Sequence, residues 1–205
     1  FPSMFDGFLN ESIIKRAIIN NKVQVNIHNI RDYSKDPHKK VDDYGFGGGN
    51  GMVLMPQPIF DAVDNLRENN SVVILMTPQA IKYNQEKAYE LSIEKHLIII
   101  CGHYEGFDER IRSIVDLELS IGDYVLTGGE IPAMAISDSI IRLIDGVITK
   151  ESHINDSFNN TNDNDFKIVE KIVNDNITTY VATQKGFKGN IKAKVIIKDN
   201  KVTEY

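Results

Sequence analysis

The sequence predicts an α/β fold built on a parallel sheet. Two short apolar runs, residues 72–76 and 97–101, read as strands buried on both faces, and helix-period stretches stand between and after them. Strands and helices that alternate in this way build parallel sheets. Glycine-bearing loops follow the strands, at the end where ligands collect in an open parallel sheet.

In chain order, residues 12–20 place Ile13, Ile14, Ala17 and Ile18 on one helical stripe that stops at Asn20-Asn21. Residues 23–27 alternate apolar and polar as a strand does. Residues 59–66 read as a helix, 72–76 as a buried strand, 85–93 as a helix and 97–101 as the next strand. Residues 116–120 lead into a glycine-rich turn, and 131–144 carry a continuous helical pattern. Composition changes after Phe158: Asn159-Asn160-Thr161-Asn162-Asp163-Asn164-Asp165 holds no apolar residue and reads as a linker, taken here as 159–166. Beyond it, residues 179–182 and 191–197 alternate as strands, and Lys198-Asp199-Asn200-Lys201 reads as a hairpin turn into Val202-Thr203-Glu204-Tyr205. The expected organisation is therefore a main domain over 1–158, the linker, and a small partial β unit over 167–205.

The 205 residues, 41% hydrophobic and 25% charged, suffice for one good core or two small ones. No apolar run approaches the roughly 20 residues of a membrane helix, and Phe1-Pro2-Ser3 lacks the character of a secretory signal, so a cytoplasmic protein with no membrane partner is expected. The single cysteine, Cys101, closes an apolar run and reads as a small buried residue. A net charge of −6 argues against promiscuous nucleic-acid binding, which scales with the phosphates that Lys and Arg neutralise. The charge is uneven: residues 1–160 carry 15 basic against 23 acidic residues, and 161–205 carry 8 against 6. Lys35, His38, Lys39 and Lys40 form the dense basic cluster of the first segment.

Three post-strand loops are the candidate site: Thr77-Pro78-Gln79; Gly102-His103-Tyr104-Glu105-Gly106-Phe107-Asp108-Glu109-Arg110; and Ile121-Gly122-Asp123-Tyr124-Val125-Leu126-Thr127-Gly128-Gly129-Glu130. Glycine lets a ligand approach the backbone. The dinucleotide fingerprint and the P-loop pattern are both absent, which excludes those two phosphate-binding readings. A further glycine cluster stands in Asp42-Asp43-Tyr44-Gly45-Phe46-Gly47-Gly48-Gly49-Asn50-Gly51-Met52.

Taken together, 42–52, 101–110 and 120–130 closely resemble the bacterial tRNA (guanine-N1)-methyltransferases of the SPOUT superfamily. The resemblance runs nearly continuously from Phe1 to Phe158, through Asn29-Ile30-Arg31-Asp32, Lys95-His96-Leu97 and Asn155-Asp156-Ser157-Phe158. It implies an α/β domain whose C-terminal part is tied in a deep trefoil knot, and an obligate homodimer. It implies methyl transfer from S-adenosylmethionine to N1 of the guanosine immediately 3′ of the tRNA anticodon. The methyl donor falls to Thr77 and Pro78, to Gly102, Tyr104 and Glu105, and to Ile121, Gly122, Asp123, Tyr124, Val125, Leu126, Gly128 and Gly129. Asp43, Tyr44 and Gly48 match the loop that approaches the target nucleotide, and Glu105 is the candidate ligand for a magnesium ion. Guanine N1 carries a proton, and its removal spreads negative charge onto O6, so the reaction asks for a base and a cation. The residues that match the family's base and its guanine-supporting arginine are Asp156 and Arg142.

The family begins with a strand ahead of the Phe-Pro dipeptide and continues after Phe158 into a helical domain that helps grip tRNA. This chain starts at Phe1, and its tail from Tyr180 to Ile191 is instead weakly similar to the opening hairpin of small FMN-binding domains. The Ser/Thr-Gly-Ala-Thr attachment motif of those domains is absent, so no flavin is expected. The alternative to an active enzyme is a catalytically silent dimeric module that binds S-adenosylmethionine.

Overall fold

The computed structural model describes residues 1–45, 51–103, 106–149 and 152, together with the backbone of four strands between 167 and 204. It divides into two compact units, Phe1–Thr149 and Lys150–Tyr205.

The first unit is built on a parallel sheet. Strand β3 (Ser71–Lys82) lies between β4 (His96–Ile100) and β5 (Leu117–Ser120) and pairs with both in parallel. A short hairpin, β1 (Asp42–Tyr44) and β2 (Met52–Leu54), stands ahead of the sheet. The helices are α1 (Asp6–Asn10), α2 (Ser12–Ile19), α3 (Pro56–Leu66), α4 (Gln85–Ser92) and α5 (Glu130–Ile141).

The apolar run of β3 divides between two cores, because successive strand residues face opposite sides of a sheet. Val73 and Leu75 pack with Ile59 and Val63 of α3, Ile98 and Ile100 of β4, and Ile111. Ile74 and Met76 pack with Leu91 of α4, Leu119 of β5, and Ile136 and Ile140 of α5. Val73, Ile74 and Leu75 are all fully excluded from solvent, which accounts for the unbroken apolar run at 72–76. Each such side chain contributes about 1.5–3 kcal/mol by leaving water. A third cluster joins Ile14 and Ala17 of α2 to Ile141. Arg67, just past α3, clamps Asp116 through two hydrogen bonds of 3.0 and 2.8 Å, and Asp116 also accepts from the Val73 amide at 2.8 Å.

Several element bounds differ from the sequence reading. The first strand of the sheet runs to Lys82: its pairing with β5 jumps from Met76↔Leu119 to Ile81↔Leu119, so residues 77–80 loop out and the strand resumes. Residues 23–27 join no sheet among the described residues. Their alternation is still used, because Val23 and Val25 pack on the third cluster from an extended segment. The α5 helix ends at Ile141 rather than 144, and tight turns carry the chain on through Leu143, Ile144 and Val147.

The second unit holds an antiparallel meander, β6 (Lys167–Asn174), β7 (Ile177–Gly186), β8 (Gly189–Lys198) and β9 (Lys201–Glu204), in that spatial order. The alternating segments expected over 179–182 and 191–197 lie inside β7 and β8, and β6 was not singled out in the sequence. The linker expected over 159–166 lies outside the described residues.

Candidate active site

The second and third loops leave the C-terminal ends of β4 and β5, whereas Thr77-Pro78-Gln79, expected as a loop after the strand, lies within β3 in the bulge at its register jump, and the parallel pairing places the three segments side by side. The second and third loops are tied directly: Gly129 N–H donates to Gly102 C=O at 2.7 Å, and His103 bridges Gly128. The turn after β5 is closed on itself, with Ser120 Oγ donating to Gly122 C=O at 2.9 Å. The outer part of β3 reaches this turn, where Tyr83 N–H donates to Ser120 C=O at 2.8 Å and Lys82 pairs with Asp123.

Backbone approach is what the glycines supply. A Cβ on Gly129 would lie 2.7 Å from the Gly102 nitrogen and 2.8 Å from Cys101 Cα, both main-chain atoms. On Gly102 it would lie 2.2 Å from the Phe107 ring, on Gly122 2.4 Å from the Tyr124 ring, and on Gly128 2.2 Å from the Glu130 carboxylate. The glycines therefore sit where chain segments and rings press together.

Of the expected methyl-donor residues, Thr77 is buried, Pro78 is exposed, and Tyr124 and Val125 stand 53% and 83% exposed on the rim. Tyr104 and Glu105 lie outside the described residues. On the hairpin, Tyr44 is 76% exposed, and Asp43 accepts from the Tyr44 amide at 2.9 Å and pairs with Lys40 at 3.2 Å. Those two contacts hold the Asp43 carboxyl below its usual range. Gly48 lies outside the described residues. Arg142 caps the C-terminal end of α5, half-buried, with its own N–H donating to Asp138 C=O at 3.1 Å. Asp156 lies outside the described residues.

The basic cluster is matched by acids at the surface. Lys35 pairs with Asp61 at 2.8 Å, Lys39 with Asp32 at 2.8 Å, and Lys40 with Asp43. A cavity of about 930 Å³ runs along β4 and the N-terminal segment, lined by Phe1, Val25, Ile98, Cys101, His103 and Glu130 among others. None of the described methyl-donor residues lines it, although His103 and Glu130 of the second and third loops do.

The sequence reading missed Glu130. It is only 6% exposed, beside Gly128 at the start of α5. An acid directly after two glycines at a helix start was the available signal. Burial and the Glu130 carboxylate push the Cys101 thiol up to about 12. A raised acid pKa keeps the folded thiol neutral while the unfolded one ionises, so this contribution to stability is lost as pH rises from about 9 toward 12. Cys101 is therefore expected to resist thiol reagents at pH 8 in the folded chain and to react promptly in denaturant. Equal rates in both states would refute the assignment.

Comparisons with known proteins agree on one family. The family model described as tRNA (Guanine-1)-methyltransferase TrmD matches residues 1–167. A tRNA (guanine-N(1)-)-methyltransferase of Malacoplasma penetrans is 49% identical over 210 residues, covering 97% of this chain and 92% of its own length. That match runs through the C-terminal strands, beyond Phe158, where the sequence resemblance was read to end. A Staphylococcus aureus protein of the same name is 56% identical over 161 residues, with 77% of this chain matched to 66% of that protein. The crystal structure of a tRNA (m1G37) methyltransferase from Aquifex aeolicus superposes with a TM-score of 0.68 at 41% identity, over 73% of this chain and 69% of that one. This chain belongs to the tRNA (guanine-N1)-methyltransferase family.

Proposed function

We propose that this chain transfers a methyl group to N1 of the guanosine immediately 3′ of the anticodon in tRNA, with S-adenosylmethionine as donor. The observation that carries the reading is 49% identity to a tRNA (guanine-N(1)-)-methyltransferase across 97% of the chain. The converging glycine loops support it. They offer main-chain donors and acceptors beside the apolar residues Ile121, Tyr124, Val125 and Leu126, a lining suited to an adenosine group. In this reading the three loop segments form the deep trefoil knot of the family.

The bound donor supplies a methyl group already activated on sulfonium. The chain's own residues do the rest: Asp156 takes the N1 proton, Arg142 stabilises the charge that grows on O6, and Asp43 and Tyr44 approach the guanine with Gly48. Thr77, Pro78, Gly102, Tyr104, Glu105, Gly128 and Gly129, with the run from Ile121 through Gly122, Asp123, Tyr124 and Val125 to Leu126, hold the donor. Magnesium rests on Glu105 alone. Among the described residues no group of three His, Cys, Asp or Glu could hold a metal, and no step is derived through one.

Incubating the chain with labelled S-adenosylmethionine and unmodified tRNA bearing guanosine at that position tests the function. Label in N1-methylguanosine after digestion is expected. Donor binding without any transfer would favour the silent module instead.

The reading includes a homodimer acting in the cytoplasm; no described helix is long and apolar enough to cross a membrane. Exposed Ile81, Tyr124, Val125 and Ile131 provide apolar surface for a second copy. Sedimentation across a dilution series is expected to show a dimer at micromolar chain. A monomer at every concentration that still binds the donor would contradict it.

A further inference from the structure

We propose that one face of the C-terminal sheet is a sequence-independent contact surface for RNA phosphates. The inference rests on the reading that this chain acts on tRNA.

The charge of the chain is segregated. Residues 1–166 carry 15 basic and 25 acidic residues, whereas 167–205 carry 8 lysines and 4 acids. The acidic balance of the body weakens non-specific attraction to a polyanion, and its dense basic cluster is matched by Asp61, Asp32 and Asp43. The excess of basic residues therefore stands in the tail.

Strand register sorts them. Cross-strand partners share a face, and residues alternate between faces along each strand. Thr183 partners Lys167 on one side and Lys192 on the other. Lys194 follows on β8 opposite Val181, and Lys185 follows on β7 opposite Asn190. Lys198 partners Lys201 at the far end of the same face. Six lysines thus share one face, with Glu170 and Glu204 as the acids the register adds to it. The same face also carries Ile172, Ile177, Val181 and Ile196 away from the Lys167–Lys192 end, and the other face collects Ile191, Ala193, Val195 and Ile197 with Val202, and Lys171.

Four of the six, Lys167, Lys185, Lys192 and Lys194, occupy neighbouring positions on three adjacent strands. Same-face neighbours lie about 5 Å apart across strands and about 7 Å apart along them, so the group forms one patch. Lysine is a point charge on a flexible stem, suited to holding phosphates without reading bases. The match to the Malacoplasma penetrans methyltransferase includes this segment, so a relative named for action on tRNA carries it too.

The test uses the full chain with Lys167→Gln, Lys185→Gln, Lys192→Gln and Lys194→Gln combined. Each phosphate contact adds about 0.7–0.9 to the slope of log affinity against log salt concentration. Binding of unmodified tRNA is expected to weaken at least tenfold in low salt, with the slope shallower by about three, while calorimetric affinity for S-adenosylmethionine stays unchanged. The same four positions changed to Arg should keep both affinity and slope. An unchanged slope in the Gln variant overturns the proposal, as does equal loss in the Arg variant, which would mark structural damage. A parent chain that binds tRNA but never methylates it overturns the functional reading, and the slope comparison still decides this one. A parent that does not bind tRNA overturns both.

Discussion

Asp156→Asn slows methyl transfer at least about a hundredfold while leaving the affinity for S-adenosylmethionine unchanged. This outcome follows from the chemistry rather than from a contact. The sulfonium donor needs no help to release its methyl group, whereas guanine N1 is protonated and poorly nucleophilic until a base takes that proton. Positioned proton transfer contributes about 10²- to 10⁴-fold, and asparagine keeps the shape of aspartate without its basicity. An interaction made only in the transition state lowers kcat and kcat/KM together, so the loss appears in single-turnover rates at saturating tRNA. Arg142→Ala should lower the same rate and also weaken tRNA binding, because in the proposed mechanism the guanidinium supports the guanine before and during transfer. Parent-like rates in the Asn variant would remove Asp156 as the base. Undetectable rates in both chains would support a donor-binding module without catalysis.

The sheet was legible in the sequence because its strands are buried on both faces. Val73, Ile74 and Leu75 leave no polar position to confuse with a helix or an exposed strand, and the reading placed them correctly. Amphipathic alternation was a weaker guide. Residues 23–27 alternate as a strand would, yet Val23 and Val25 meet the core from a segment that has no strand partner among the described residues. Burial selects the alternation, and hydrogen-bond pairing is a separate requirement. At residues 77–80 the reading was half right: Thr77-Pro78-Gln79 was taken as the end of the strand, and Pro78, which has no N–H for the ladder, does fall in the bulge between Met76 and Ile81, but the return of the chain to β5 at Ile81 and Lys82 is a tertiary fact. The site divides in the same way. Glycine positions were readable because close backbone approach requires them, and Gly102 and Gly129 meet as that demand implies. Glu130 was passed over because an acid at a helix start is ordinarily satisfied by the helix dipole on a solvent-facing turn, and its burial is a tertiary fact.

Gly129→Ala removes S-adenosylmethionine binding and destabilises the fold, through a single methyl group. The backbone at Gly129 has φ −83° and ψ −5°, which any residue adopts, so the requirement is spatial. A Cβ would lie 2.7 Å from the Gly102 nitrogen and 2.8 Å from Cys101 Cα. A crowded side chain can turn away, but these are main-chain atoms held by the 2.7 Å hydrogen bond from Gly129 to Gly102. The methyl group must therefore push the second and third loops apart. Overpacking costs about 1–3 kcal/mol where side chains can adjust, and the upper end is expected here. For a chain of this length each kcal/mol moves Tm by about 2–4 °C, so a fall of about 10 °C is the expected scale. Loss of the loop-to-loop contact also spreads the groups offered to the donor, and affinity should fall at least about a hundredfold. Gly7→Ala is the control. It lies in α1 with nothing within 4 Å of its added Cβ, and alanine there should stabilise the helix by about 0.5–1 kcal/mol. Calorimetry and thermal unfolding on both variants separate the cases: unchanged donor affinity in Gly129→Ala would show that these loops are not the donor site, even if Tm falls as expected.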